Sequence, residues 1–378
     1  MLRRAFVLGA VAALAATVSC KKNSNDEIRV GAYLSLSGPD STFGTDAREG
    51  IELAVEEVNA RGGVKGKRLV VLYEDTESRT QEASQKVRQL VDRDHVVALL
   101  GESASSRSLA GGLIANTSRV PMITPSSTAV EVTKDREWVF RTCFTDDQQG
   151  IAAARFVHTE LKKTKAAIFF TAQDTYSSGL AKSFRDAYRA LGGEIVIEKG
   201  YPKGETNFRT YLAELKAKEP QVIFVPNYYN EMVLVARHAK EIGIPGTTFV
   251  GGDGWDSTNL LDGAGTELEG AYFTNHYAPD VPWEHAKKFL AAFRAKYKHE
   301  PAGGSAQGYD AARVLADAMA RAPELTPAAI RQALTQTKDF PGATGITTMN
   351  ADRNVKKPIV IVRIEQKKFR YASEVMTP

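Results

Sequence analysis

Five apolar runs in this chain end on residues able to hold a small polar molecule. Val96-Val97-Ala98-Leu99-Leu100 runs into Gly101 and Ser105, and Pro121-Met122-Ile123 into Thr124, Ser126 and Thr128. Ala166-Ala167-Ile168-Phe169-Phe170 is followed by Asp174 and Tyr176, Val222-Ile223-Phe224-Val225 by Tyr228, and Thr248-Phe249-Val250 by Gly251-Gly252 and Asp253. Ligands of open parallel sheets lie outside the carboxyl ends of the strands, so the recurrence implies one small-molecule site fed by many loops.

The residues needed for bond making are not arranged for it. The six histidines, His95, His158, His238, His276, His285 and His299, have neither metal-ligand spacing nor an i, i+4 helical pairing. Gly101-Glu102-Ser103-Ala104-Ser105 starts like a nucleophile elbow but lacks the closing glycine. Gly251-Gly252-Asp253-Gly254 has neither the spacing of a dinucleotide fingerprint nor the lysine of a phosphate loop. The expectation is a binding protein with no enzymatic activity, no cofactor and no metal.

Length and composition set the frame. A chain of 378 residues suggests two to three domains, and its ordinary apolar and charged fractions fit a globular protein. Lys and Arg number 49 against 45 Asp and Glu; without Arg3 and Arg4 of the first nineteen residues the balance is 47 against 45, a net +2. Spread along the chain, that charge gives no nucleic-acid footprint. Arg3-Arg4, an apolar stretch from Ala5 to Ala16, then Thr17-Val18-Ser19-Cys20 has the grammar of a secretory signal over residues 1–19. Small residues before Cys20 resemble a bacterial lipoprotein processing site, with 20–27 as a tether. Thr17 departs from the aliphatic residue usual there, which leaves ordinary cleavage to a free soluble protein as the alternative. Two or more acyl chains on Cys20, at about 0.8 kcal/mol per buried methylene, would anchor the protein stably. Cys143, in Val139-Phe140-Arg141-Thr142-Cys143-Phe144, reads as a small buried hydrophobe.

The elements that must position these residues alternate. Strand Ile28 to Leu34, helix Ala47 to Arg61 stopped by Gly62-Gly63, strand Leu69 to Tyr73, helix Thr80 to Arg93 and strand Val96 to Leu100 form one series. A second follows Asp146: helix Gly150 to Lys162, strand Ala166 to Phe170, helix Ser177 to Leu191, strand Glu194 to Ile197, helix Phe208 to Lys218, strand Val222 to Val225, helix Glu231 to Ile242 and strand Thr248 to Val250. Beyond Tyr272 come helices Glu284 to Lys298, Ala306 to Ala322 and Pro327 to Thr337, then strands Ile359 to Ile364 and Phe369 to Tyr371. Such alternation predicts an α/β protein of two doubly wound parallel-sheet lobes.

With the strands placed, the loops resemble those of the periplasmic branched-chain amino acid (Leu/Ile/Val) binding proteins, substrate-binding components of ABC transporters. The likeness runs from about Ile28 to the C-terminus through Leu36-Ser37-Gly38-Pro39 with Phe43-Gly44, Asn59-Ala60-Arg61-Gly62-Gly63-Val64-Lys65-Gly66 and Pro121-Met122-Ile123-Thr124-Pro125. It continues in Phe140-Arg141-Thr142 with Asp146 and Gln149-Gly150, Tyr176 before Gly179, and Gly251-Gly252-Asp253-Gly254. Where some relatives carry a disulfide, this chain has Glu77 and Ala104. The resemblance implies lobes joined by three crossover segments, near Thr145 to Gln148, Thr274 to Ala278 and Thr348 to Asp352, with the ligand cleft between them. The first lobe would comprise 28–144 and 278–348, the second 147–274 and 352–378.

A zwitterionic ligand needs donors for its carboxylate and an acceptor for its ammonium. Ser105-Ser106 opens a predicted helix, so its hydroxyls and free N–H groups can face an anion; equally, Ser105 can be a plain N-cap. The resemblance places Ser105 and Thr128 on the ligand carboxylate, and the Ser126 carbonyl and the Asp253 carboxylate on its ammonium. Phe43, Tyr176 and Tyr228 then line the pocket. The competing reading of 124–127 and of Gly252-Asp253-Gly254 is simple turn formation. Trp255 either walls the pocket or packs, and Glu102 is left unplaced. The implied protein is periplasmic or at the cell surface, a monomer that delivers a small aliphatic or branched-chain amino acid to a membrane permease. Amides, urea or aromatic carboxylates are the alternative ligands, and a ligand-sensing module for a receptor is the alternative role.

Overall fold

The structure, a computed structural model, describes residues 26–376. The expected signal segment, Cys20 and most of the tether lie outside the described residues. The first lobe contains β1 (Glu27–Leu34), α1 (Ser41–Ala60), β2 (Arg68–Asp75), α2 (Thr80–Arg88), β3 (Leu99–Gly101), α3 (Ser105–Thr117), β4 (Met122–Thr124) and β5 (Val139–Arg141). Its five strands are all parallel in the order β2-β1-β3-β4-β5. The second contains α4 (Asp146–Arg155), β6 (Lys165–Thr171), α5 (Thr175–Ala190), β7 (Glu194–Tyr201), α6 (Arg209–Lys216), β8 (Val222–Val225), α7 (Tyr229–Glu241), β9 (Phe249–Gly251), α8 (Thr258–Ala264) and β10 (Tyr272–Asn275).

The chain then returns to the first lobe as α9 (Glu284–Tyr297), α10 (Gly303–Arg321), α11 (Pro327–Thr335) and a small hairpin, β11 (Phe340–Gly342) with β12 (Gly345–Thr347). It ends in the second lobe as β13 (Ile359–Glu365) and β14 (Lys368–Val375). The second sheet runs β14-β13-β10-β9-β8-β6-β7, parallel from β7 to β10 and antiparallel at the added edge. Both lobes thus use one winding, with the first strand lying between the second and the third. In each, the order reverses beside that strand, which opens a crevice at the carboxyl ends.

Local chemistry explains the boundaries. Central strands such as β8 are buried along their whole length, as a sheet covered by helices on both faces requires. On α1, Ala47, Ile51, Ala54 and Val58 face inward, and the helix stops where Gly62 and Gly63 adopt φ of +94° and +73°. Helix α4 begins four residues before the expected Gly150, because Thr145 and Gln148 form a reciprocal capping box. Strand β5 and the β11–β12 hairpin carry three-residue strands, too short to reveal a period of two in the sequence.

Three passages join the lobes, one following each of β5, β10 and β12. The third, expected near Thr348 to Asp352, is drawn toward Lys356 to Pro358. Arg141 N–H donates to the Arg353 carbonyl at 3.1 Å, and Thr133 Oγ1 to Asn354 Oδ1 at 2.8 Å, so 353–354 stay with the first lobe. Cys143 is fully buried in the first passage, and burial pushes its thiol up to about 12. A thiol reagent at pH 8 is therefore expected to leave the Cys143 peptide unmodified in the native protein and to modify it after unfolding, as read by peptide mass spectrometry. Labelling of the native protein would mean that this passage opens to solvent. Among the described residues no helix is long and apolar enough to cross a membrane.

Candidate functional site

The facing carboxyl ends of the two sheets border a small cavity that is partly open to solvent. Phe43, Ser105, Ser126 and Thr128 line it from the first lobe, and Tyr176, Tyr228 and Asp253 from the second, so the structure brings all seven sequence-predicted residues to one cavity. The remaining wall is Ser103, Gly254, Asp256, Gly304 and Gln307, which sequence reasoning missed. Gly304 and Gln307 belong to the start of α10, some fifty residues beyond Asp253, and no local pattern marks them as facing a cleft.

On the first-lobe side, α3 starts one residue before the N-cap reading of Ser105 would have it: Ala104 is the cap and Ser105 the first helical residue. The Ser105 hydroxyl accepts the Ala129 N–H at 3.2 Å, which ties the helix start to the loop after β4 and leaves the hydroxyl proton to be donated. That loop is clamped from below by Arg141, whose guanidinium donates to the carbonyls of Ser127 at 3.0 Å and Ala129 at 2.8 Å. Thr124 Oγ1 accepts the Ser127 N–H at 3.0 Å, so the 124–127 segment is a capped turn as well as a cavity wall.

On the second-lobe side, Asp253 opens a short 3-10 turn and presents its carboxylate beside the cavity. Gln149 Nε2 donates to Oδ1 at 2.8 Å and His276 Nε2 lies 3.1 Å from Oδ2. Burial lowers the His276 pKa, so the ring is a neutral donor stacked on Phe144 at 3.6 Å between centroids. Both partners hold the carboxylate without neutralising it. Tyr176 stacks on Tyr228 at 5.1 Å, and Phe43 meets Tyr228 edge-on at 5.8 Å, which gives one aromatic wall drawn from both lobes. The Gly254 N–H donates to Tyr176 Oη at 2.9 Å, while the buried Tyr228 hydroxyl has no partner.

This set offers hydroxyl donors on one lobe and a non-neutralised carboxylate with phenols on the other, groups that can meet opposite charges of one small molecule. Comparison with known proteins agrees. The chain matches the periplasmic binding protein family over residues 27–368. It is 31% identical over 280 residues to the Leu/Ile/Val/Thr-binding protein of Salmonella typhimurium, covering 74% of this chain and 75% of that one. The protein belongs to the periplasmic binding protein family.

Solved structures place it further within that family. A leucine-binding protein of Thermotoga maritima superposes with a TM-score of 0.88 at 33% identity, over 92% of this chain and 99% of the other. A branched-chain amino acid transporter substrate-binding protein of Streptococcus pneumoniae, in complex with isoleucine, gives 0.87 at 34% identity, over 93% and 100%. The family is one of solute carriers rather than enzymes, and it places this binding protein in the periplasm.

The two residues that the sequence left unplaced turn away from the cavity. Trp255 is fully buried, and its Nε1 donates to Asn227 Oδ1 at 3.0 Å. Asn227 donates in turn to Tyr201 Oη at 3.1 Å, and Tyr201 and Thr171 both donate to Glu231 Oε2, at 3.2 and 3.0 Å. The chain holds the 253–255 turn and the Tyr228 loop from behind. Burial pushes the Glu231 carboxyl up to about 7, with the two hydroxyls only partly offsetting it. A raised carboxyl contributes stability fully below its unfolded value near ~4.3, and loses it as pH rises through 7. Glu231→Gln is thus expected to gain up to about 3 kcal/mol on the parent between pH 4.5 and pH 8 in urea unfolding. A difference that stays flat with pH would count against a buried carboxyl. Glu102, also fully buried, accepts from Ala104 N–H at 2.7 Å and pairs with Arg107 at 3.1 Å, serving the start of α3.

Proposed function

We propose that this binding protein captures a small α-amino acid, of the size of the aliphatic and branched-chain members, and presents it to the membrane permease of an ABC-type importer. One observation carries the reading: Ser105, Ser126 and Thr128 from one lobe and Asp253 with two tyrosines from the other line a single cavity. In the proposed pose the ligand carboxylate meets Ser105, Thr128 and the first N–H groups of α3, and the ammonium meets Asp253 and the Ser126 carbonyl. The names of the relatives, Leu/Ile/Val/Thr-binding and leucine-binding, support an amino acid over an amide or an aromatic acid. The lobes touch beside the cavity through a few polar and ring contacts, among them Tyr229 Oη donating to the Pro39 carbonyl at 2.7 Å, a 3.0 Å bond between the Thr42 and Ser257 hydroxyls, and Phe43 against Tyr228. A ligand that touches both lobes would therefore shift the population toward the closed form. Lipidation at Cys20 would hold the protein near its permease, with the 20–27 segment as the tether.

A thermal-shift panel of amino acids, amine-free acids and amides tests this. A ligand at about 100 times its dissociation constant is expected to add about 2.7 kcal/mol. Stabilisation by amine-free acids or amides alone would reject the amino acid reading.

A further inference from the structure

Part of the cavity wall is more polar than an aliphatic side chain requires. It includes Asp256, Gln307, Ser103 and Gly304. Gln307 Nε2 is taken by the Pro125 carbonyl at 3.3 Å. The Ser103 hydroxyl has no partner in the protein. Asp256, 6% exposed, reaches across to the N-terminus of α10. Its Oδ2 lies where a Cβ on Gly303 would be only 2.2 Å away, and the N–H groups of Gly303 and Gly304 and the Asn275 side chain face its carboxylate. Asp46 stands behind Gly304, its Cβ 3.2 Å from where a Cβ on that glycine would be. Among the described residues no cationic side chain is paired with either acid. Asp46 faces Asp256 and Glu49, and Asp256 faces Asp253 as well as Asp46. Burial and Asp253 push the Asp256 carboxyl up to about 7 despite the donors at the helix start.

A carboxylate offers about four acceptor positions, and the helix start does not use them all. Sites for wholly aliphatic side chains are lined mainly by apolar groups, and a buried polar wall left without a partner is costly. We propose that Asp256, Gln307 and Ser103 receive a hydrogen-bond donor carried by the ligand side chain. Among amino acids of one size, the protein then selects the hydroxyl or amide member over the aliphatic one. The inference rests on the amino acid reading above and narrows it to a substrate class. It follows a general asymmetry: a site built to hydrogen-bond a group strongly rejects the isostere that lacks it, whereas an apolar pocket rejects an added hydroxyl only weakly.

Calorimetric titration of the purified protein with two near-isosteric pairs, threonine against valine and asparagine against leucine, decides it. The polar member of at least one pair is expected to bind about tenfold to a hundredfold more tightly. Gln307→Leu and Asp256→Asn are each expected to narrow that ratio toward unity. Gln307→Leu stands by itself if the Asp256 variant fails to fold, since the Gln307 side chain bonds the Pro125 carbonyl rather than the N–H groups at the start of α10. Valine and leucine binding as tightly as their partners, or more tightly, overturns this proposal and leaves the amino acid reading intact. Absence of binding by all four, with stabilisation by amine-free acids, overturns both.

Discussion

Replacing Asp253 by asparagine is expected to weaken amino acid binding about a hundredfold, a loss of about 3 kcal/mol, with little change in the melting temperature of the ligand-free protein. The ammonium would lose the carboxylate that faces it and remain inside a closed, largely dehydrated cleft. The fold should tolerate the change for a specific reason. An asparagine can keep its carbonyl toward Gln149 Nε2, and its amide would then meet His276 Nε2, 3.1 Å away in the parent. His276 can accept that amide by moving its proton to Nδ1, which has no partner now. Isothermal titration with the best ligand of the panel measures the effect. An Asp253→Asn protein that binds as tightly as the parent would remove Asp253 from the ammonium site.

Arg107→Met should have the largest effect on stability, about 3–5 kcal/mol. Arg107 is 2% exposed, and donates from Nη1 to Asp40 Oδ2 at 2.7 Å while its Nε lies 3.1 Å from Glu102 Oε2. Burial acts against its charge, but Glu102 and Asp40 outweigh it and raise its pKa. Without the guanidinium, two buried carboxylates would face each other unpaired. Glu102 also accepts from the Ser35 hydroxyl at 2.5 Å and from the Ala104 N–H, so the disturbance would reach the start of α3 and Ser105. The urea midpoint should fall with an unchanged slope, and adding Glu102→Gln should recover part of the loss. A midpoint within experimental error of the parent would mean that water already solvates the acids.

Both expectations follow from charge left inside a protein interior. Their common feature is that the binding groups are held by a second layer. Arg141 clamps the loop of Ser126 and Thr128, the Trp255–Asn227–Tyr201–Glu231 chain holds the turn of Asp253, and Glu102 with Arg107 fixes the start of α3. Such supports keep donors and acceptors in place before the ligand arrives, which lowers the entropic cost of binding.

The sequence by itself determined the winding of both lobes and the identity of the residues at strand ends. Alternating helices and strands force parallel crossovers, and a polar residue after an apolar strand lies at the carboxyl edge of the sheet, where it can meet the crevice. Ser105, Ser126, Thr128, Tyr176, Tyr228 and Asp253 were legible for that reason, each being local to the strand that places it, whereas Phe43 came from the resemblance alone. Only the tertiary structure decided the rest. Gln307 and Gly304 reach the cavity because the chain returns to the first lobe and lays the start of α10 against Asp256. Trp255 and Glu102, equally close to strand ends in sequence, turn inward because buried partners compete for their polar atoms. Position along the chain sets which end of a sheet a residue occupies, but the side on which it finds its hydrogen-bond partners depends on packing between segments far apart in sequence.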